Sequence, residues 1–160
     1  EKLRELVVSK GLDVGFAYDG GSYTRTVVLH PQEATGPLTV KSGTLGFDWG
    51  ATWAKGTEVY LKGGTLKVAH DQALPAGSAI LLGDRGVLDM NGRHLPAGST
   101  VALADPQAFA AHDRSFTLMD NVVDDITVTN ADQLPGNWSV RVVNGKLRAN
   151  SGKGMLIFVR

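Results

Sequence analysis

Leu74-Pro75-Ala76-Gly77-Ser78-Ala79-Ile80-Leu81-Leu82 is answered 21 residues later by Leu95-Pro96-Ala97-Gly98-Ser99-Thr100-Val101-Ala102-Leu103. The word Leu-Pro-Ala-Gly-Ser is identical in the two copies, and each copy runs into a short apolar segment with the composition of a strand. A second word keeps the same step. Gly43-Thr44-Leu45, Gly64-Thr65-Leu66 and Gly86-Val87-Leu88 follow one another at offsets of 21 and 22 residues. A fixed period of this length marks chains in which each repeat is one supersecondary unit. Such a unit cannot bury its apolar face alone and stacks on its neighbours.

Reading outward, short β-rich runs are expected at 38–40, 44–47, 58–61, 65–68, 79–82, 87–90 and 100–103. Pro75 and Pro96 would interrupt a central strand, so they belong at corners. Leu-Pro-Ala-Gly fits a turn with proline second and glycine fourth. The period therefore predicts an all-β solenoid with strands pairing between successive repeats. Gly63-Gly64 and Asn91-Gly92 are further turn signals, and Asn91-Gly92 would also close a two-residue hairpin. That makes an antiparallel β-sandwich the alternative fold, although a sandwich has no reason to repeat an identical corner at one fixed interval.

The ends read differently. Residues 36–104 carry the repeats, and residues 1–35 read as an N-terminal cap or the remnant of an upstream domain. Within the latter, Leu3, Leu6 and Val7 stand at offsets of three and four, the pattern of a short amphipathic helix stopped by Gly11. Residues 23–30 suit a strand. Residues 105–160 read as degenerate repeats and a C-terminal β cap: the pattern fades from Pro106 to Gln133 and returns as Leu134-Pro135-Gly136 and Asn144-Gly145-Lys146-Leu147. Residues 138–143, 146–149 and 155–159 are expected to be closing strands, with Trp138 of the Asn137-Trp138-Ser139 sequon packed beneath the cap.

Composition narrows the functional classes. Sixteen basic residues balance sixteen acidic ones over 160 residues, so no net field draws the chain toward nucleic acid or an anionic membrane. No apolar run approaches the ~18 residues of a spanning helix, and membrane insertion is not expected. The sequence has no cysteine, which removes disulfides and thiolate chemistry and suits an exported bacterial protein. It opens at Glu1 with no basic-then-apolar leader, which reads as a processed product or a fragment.

Gly64-Thr65-Leu66-Lys67-Val68, Ala73-Leu74-Pro75-Ala76-Gly77-Ser78 and Gly86-Val87-Leu88-Asp89-Met90-Asn91-Gly92 resemble the autotransporter-associated β-strand repeat of exported bacterial proteins. The likeness covers about Gly36 to Leu103. It implies a single-stranded right-handed parallel β-helix with atypical terminal caps, displayed at or beyond the cell surface as a scaffold that carries adhesive or enzymatic modules. No translocator barrel follows before Arg160, so the scaffold is the part of the resemblance that transfers. The family supplies no catalytic motif.

The chemistry-bearing residues are sparse. His30, His70, His94 and His112 lie far apart, none at the spacing of a helical metal pair. His70-Asp71 is the best local acid–base couple, and stacking of repeats would bring His94 near it. Asp120, Asp124 and Asp125 are the densest carboxylate group and the candidate Ca²⁺ ligands, weighed against a solvated loop because their spacing fits no EF-hand. Trp49 and Trp53, with Tyr60 nearby, are the candidate carbohydrate-binding aromatics, weighed against core packing. No phosphate loop or nucleophile elbow occurs, and no cofactor is expected.

The resulting expectation is a non-catalytic structural or adhesive module of a secreted or cell-surface protein. Its partners would be other copies of itself, neighbouring domains of the same precursor, or glycans. A carbohydrate-binding or polysaccharide-processing domain is the alternative.

Overall fold

The computed structural model describes residues 6–8, 26–28, 38–40, 44–47, 58–68, 71 and 74–152, and in it the repeat becomes strand pairing. The strands are β1 (Leu6–Val8), β2 (Thr26–Val28), β3 (Leu38–Val40), β4 (Thr44–Phe47), β5 (Glu58–Leu61), β6 (Gly64–Val68), β7 (Ala79–Leu82), β8 (Gly86–Asp89), β9 (Thr100–Leu103), β10 (Phe116–Asp120), β11 (Trp138–Val143) and β12 (Lys146–Ser151). Two 3₁₀ helices, Pro106–Ala111 and Ala131–Gln133, lie between β9 and β11. Up to β10 the chain alternates between two sheets. One is five-stranded with order β1-β3-β5-β7-β9, and the other is seven-stranded with order β11-β12-β10-β8-β6-β4-β2.

Register follows the sequence period. Leu38 pairs with Val59, Val59 with Ile80 and Ile80 with Val101, while Val40, Leu61, Leu82 and Leu103 form a second in-register line. Because side chains alternate across a strand, Val59 with Leu61, Ile80 with Leu82 and Val101 with Leu103 point the same way within their strands. Val40, Val59, Leu61, Ile80, Leu82, Val101 and Leu103 are all buried. In the other sheet Leu66 pairs with Leu88 and Leu88 with Met119, again all buried. Full burial of one such side chain contributes about 1.5–3 kcal/mol, so the stacked columns are the main source of stability.

The corners carry the stacking past the strand ends. Ser99 N–H donates to the Pro96 carbonyl at 3.1 Å, with Gly98 at φ 73°, so the turn has proline first and glycine third, one place earlier than the sequence suggested. Positive φ at the third residue is what a type II turn requires. In the preceding copy the buried Ser78 hydroxyl donates to the Pro75 carbonyl at 2.6 Å, and Gly77 N–H donates across to Ala97 O at 2.9 Å.

The single-stranded right-handed parallel β-helix is corrected by the seven-stranded sheet, which is mixed. Its members β2, β4, β6, β8 and β10 pair in parallel, but β10 pairs with β12, and β12 with β11, antiparallel. The physical reason is the Asn144-Gly145 turn, taken in the sequence as a returning repeat word. Both residues have positive φ (50° and 71°), and Val143 faces Lys146, so the chain reverses in a two-residue hairpin instead of crossing to the other sheet.

The antiparallel sandwich fails as well, because every pair in the five-stranded sheet is parallel. Asn91-Gly92, the signal for that alternative, does form a tight turn closed by Arg93 N–H to Met90 O at 2.9 Å. The chain continues from it without returning along β8. The N-terminal helix is also corrected. Residues 6–8 are a strand paired in parallel with β3, so sheet pairing overrides a helical spacing only one turn long. Of the expected closing strands, 155–159 lies outside the described residues.

Gly86 gives a direct test of layer spacing. A Cβ there would stand 2.7 Å from the Leu61 carbonyl carbon and 2.8 Å from Leu61 Cβ, whereas a Cβ on Gly136 would meet nothing within 4 Å. Gly86→Ala is expected to lower the unfolding free energy by about 1–3 kcal/mol, and Gly136→Ala to change it by less than about 0.5 kcal/mol, as measured by urea denaturation. Equal effects would show that the two sheets are not packed at this distance.

Candidate functional site

Several polar side chains of the described region bond from one layer to the next. Asp89 and Asp120 are parallel partners. Asp89 Oδ1 accepts from the Asn91 backbone N–H at 2.9 Å and from Asn121 Nδ2 at 2.8 Å. Asp120 takes Lys146 Nζ at 2.8 Å on Oδ1 and at 2.9 Å on Oδ2, and its Oδ1 also accepts the Asn121 N–H at 2.8 Å. The Lys146 hydrogen bond is the main reason the Asp120 carboxyl titrates below the usual range; burial opposes it, and the Asn121 N–H and the Lys146 charge add to it.

Asp124 faces elsewhere. Its Oδ1 accepts from His94 Nδ1 at 2.6 Å and its Oδ2 from the Leu95 N–H at 2.7 Å, and these two bonds, the imidazole first, hold its pKa down. Asp125 is exposed. Of the three carboxylates singled out as Ca²⁺ ligands, Asp120 and Asp124 are thus bonded to different partners, and among the described residues no three histidine or acidic side chains converge on one point.

Trp49, Trp53, His30 and His70 lie outside the described residues. Tyr60 is half-buried in β5, between Thr39 and Leu81 in register. Asp71, expected beside His94, instead bonds Arg93 Nη1 at 2.6 Å. It acts on His94 only through space, adding to the rise of the imidazole pKa that the Asp124 hydrogen bond and charge chiefly cause.

A second histidine–carboxylate pair was not legible. His112 follows the first 3₁₀ helix, and its Nε2 bonds Asp84 Oδ2 at 2.7 Å, with both side chains about one-quarter exposed. The His112 ring lies 5.0 Å from that of Phe116. Together they border an open hollow of about 450 Å³ whose lining includes Asp84, Asp113, Arg114 and Ser115. The signal that would have found this pair is a longer step. His112 is 28 residues from Asp84 and Asp124 is 30 from His94, because the 3₁₀ insertion lengthens the layer after β9 beyond the 21 residues of the earlier ones.

Chemically, a carboxylate-bound imidazole can orient its ring and hold a proton. A serine or threonine nucleophile activated by histidine would need its hydroxyl on the imidazole. Among the described residues each imidazole is bonded to a carboxylate and neither to a hydroxyl. The chain matches no family model, no curated protein and no solved structure.

The His94–Asp124 pair makes stability depend on pH in a defined direction. His94 is raised from 6.5, so its contribution is complete below the ordinary imidazole range and lost as pH rises through the raised value. Asp124 is lowered from 3.8, so its contribution is present above that value and lost as pH falls through the lowered one. The difference in urea midpoint between the wild type and His94→Ala is therefore expected to be largest between the two ranges and to shrink on the alkaline side. A difference that stays constant from mildly acidic to alkaline pH would show that charge plays no part in this contact.

Proposed function

We propose that this chain is a non-catalytic structural or adhesive β module of a secreted or cell-surface bacterial protein. The observation that supports it best is the placement of the ionisable side chains. Asp71 with Arg93, Asp84 with His112, Asp124 with His94 and Asp120 with Lys146 join residues 22, 28, 30 and 26 positions apart, so each bond ties one layer to the next. A carboxylate-bound imidazole would serve hydrolysis only with a nucleophile or an activated water beside it, and among the described residues neither imidazole is bonded to a hydroxyl. Here the four pairs hold adjacent layers together.

The repeated Leu-Pro-Ala-Gly-Ser and Gly-Thr-Leu words, with their likeness to repeats of exported bacterial proteins, favour display outside the cell. The absence of cysteine is in keeping with that setting. The partners that fit such a module are neighbouring segments of the same precursor and surface glycans.

The test compares the purified chain with its His94→Ala/His112→Ala double variant on a panel of polysaccharides, aryl esters and peptides. No turnover above background is expected from either protein. Turnover by the wild type that disappears in the double variant would overturn the proposal and favour a polysaccharide-processing or other hydrolytic domain.

A further inference from the structure

The five-stranded sheet ends at β9, and what lies beyond β9 is not a strand. Val128 makes a single parallel bridge with Val101, and Thr129 N–H donates to Val101 O at 2.9 Å, as the first rung of a new strand would. The second rung is replaced. Leu103 N–H donates to Asn130 Oδ1 at 2.8 Å, and Asn130 Nδ2 donates back to the Leu103 carbonyl at 2.8 Å. One side-chain amide thus supplies the acceptor and the donor that a further strand's backbone would offer, after which the chain turns into the 3₁₀ helix Ala131–Gln133.

Asn130 stands in register where the line Val40, Leu61, Leu82, Leu103 would continue. The column of buried aliphatic residues stops on an amide.

We propose that residues 128–130 are an edge lock. They keep β9 from accepting a strand of a second copy of this chain, and the strand they exclude is β1. β1 begins the same sheet at its opposite end and runs parallel to all its members, with Leu6 and Val8 in the register lines that end at Val101 and Leu103. Among the described residues no strand pairs with its outer side. A second copy's β1 set against β9 would continue the ladder in the same direction and register. Contact of one end with the opposite end of the next copy does not close on itself, so it builds a linear filament. The inference stands on the sheet geometry and is independent of whether the chain has catalytic activity.

The full-length chain tests it. Asn130→Ala is expected to raise the hydrogen-exchange rate of the Leu103 amide about tenfold, the loss of one net hydrogen bond. In sedimentation velocity the variant should form a concentration-dependent series of larger species at concentrations where the wild type does not. Thr100→Lys, which puts a charge at an exposed position of β9, should abolish that series in the Asn130→Ala background.

Association that persists with Thr100→Lys would place the contact elsewhere and overturn the proposal. So would an Asn130→Ala protein that sediments like the wild type with Leu103 equally protected. If Asn130→Ala does not fold, Asn130→Asp keeps the acceptor for Leu103 N–H and removes the donor to its carbonyl. That variant is expected to associate more weakly in the same way, and wild-type sedimentation by a folded Asn130→Asp would overturn the lock.

Discussion

Every other feature of the molecule depends on in-register parallel stacking of strands only three to five residues long. A strand of that length has two inward side chains and cannot persist alone. It becomes stable when the residue above and the residue below are equally apolar and equally placed. The register is fixed beyond the strands themselves: Lys62 N–H donates to Val40 O at 2.9 Å, Gly83 N–H to Leu61 O at 2.8 Å, Thr100 N–H to Ser78 O at 2.9 Å and Ala104 N–H to Leu82 O at 2.9 Å. A slip by one residue would turn Val59 and Leu61 outward and Glu58 and Tyr60 inward. With the corners bonded to one another as well, the slip would also break the turn ladder, so the columns and the corners enforce the same alignment.

That is why pairing partners were readable in the middle of the chain, whereas in the C-terminal flank the strands at 138–143 and 146–149 were readable and their antiparallel direction was not. Where two words recur at 21 residues, a strand on one layer names its partner on the next, and Leu38, Val59, Ile80 and Val101 could be aligned by counting. Counting fails where layers differ in length. The 3₁₀ helix after β9 draws His112 back to Asp84, a contact with no trace in local spacing. Leu3, Leu6 and Val7 show how little one helical turn of pattern weighs against a neighbouring strand. Asn-Gly marked a tight turn at 91–92 and at 144–145 alike, but only the second joins two strands that come back on each other. The dipeptide specifies the local backbone, and the strands available on either side decide what the turn connects.

The candidate site was less legible than the fold for a related reason. Asp120, Asp124 and Asp125 are close in sequence, which suggested a shared ligand, yet the turn at Asn121 (φ 50°) and the path beyond it send Asp120 toward Lys146 and Asp124 toward His94. In a stacked chain, proximity in sequence measures distance along a layer, and chemistry between layers needs the layer length. Tyr60 shows the converse, since its neighbours in space, Thr39 and Leu81, are set by register.

The two sheets end by different means, and one stretch of chain serves both. In the five-stranded sheet the last edge is met by the amide of Asn130. In the seven-stranded sheet the parallel run is ended by the β11–β12 hairpin, with β12 lying against β10. Between these endings, Asp105 Oδ1 caps the first 3₁₀ helix by accepting from Gln107 and Ala108 N–H, and Gln107 Nε2 donates to Gln133 O at 2.7 Å, binding the first 3₁₀ helix to the second. Phe109 of that first helix is fully buried, stacked 5.3 Å from Phe116 of β10 and edge-on 5.8 Å from Trp138 at the start of β11. The aromatic cluster therefore joins the segment that leaves the parallel sheet to the strands that close the mixed one. Its loss would loosen the placement of Asn130 and of the hairpin together, so the closing of the two sheets is one structural event.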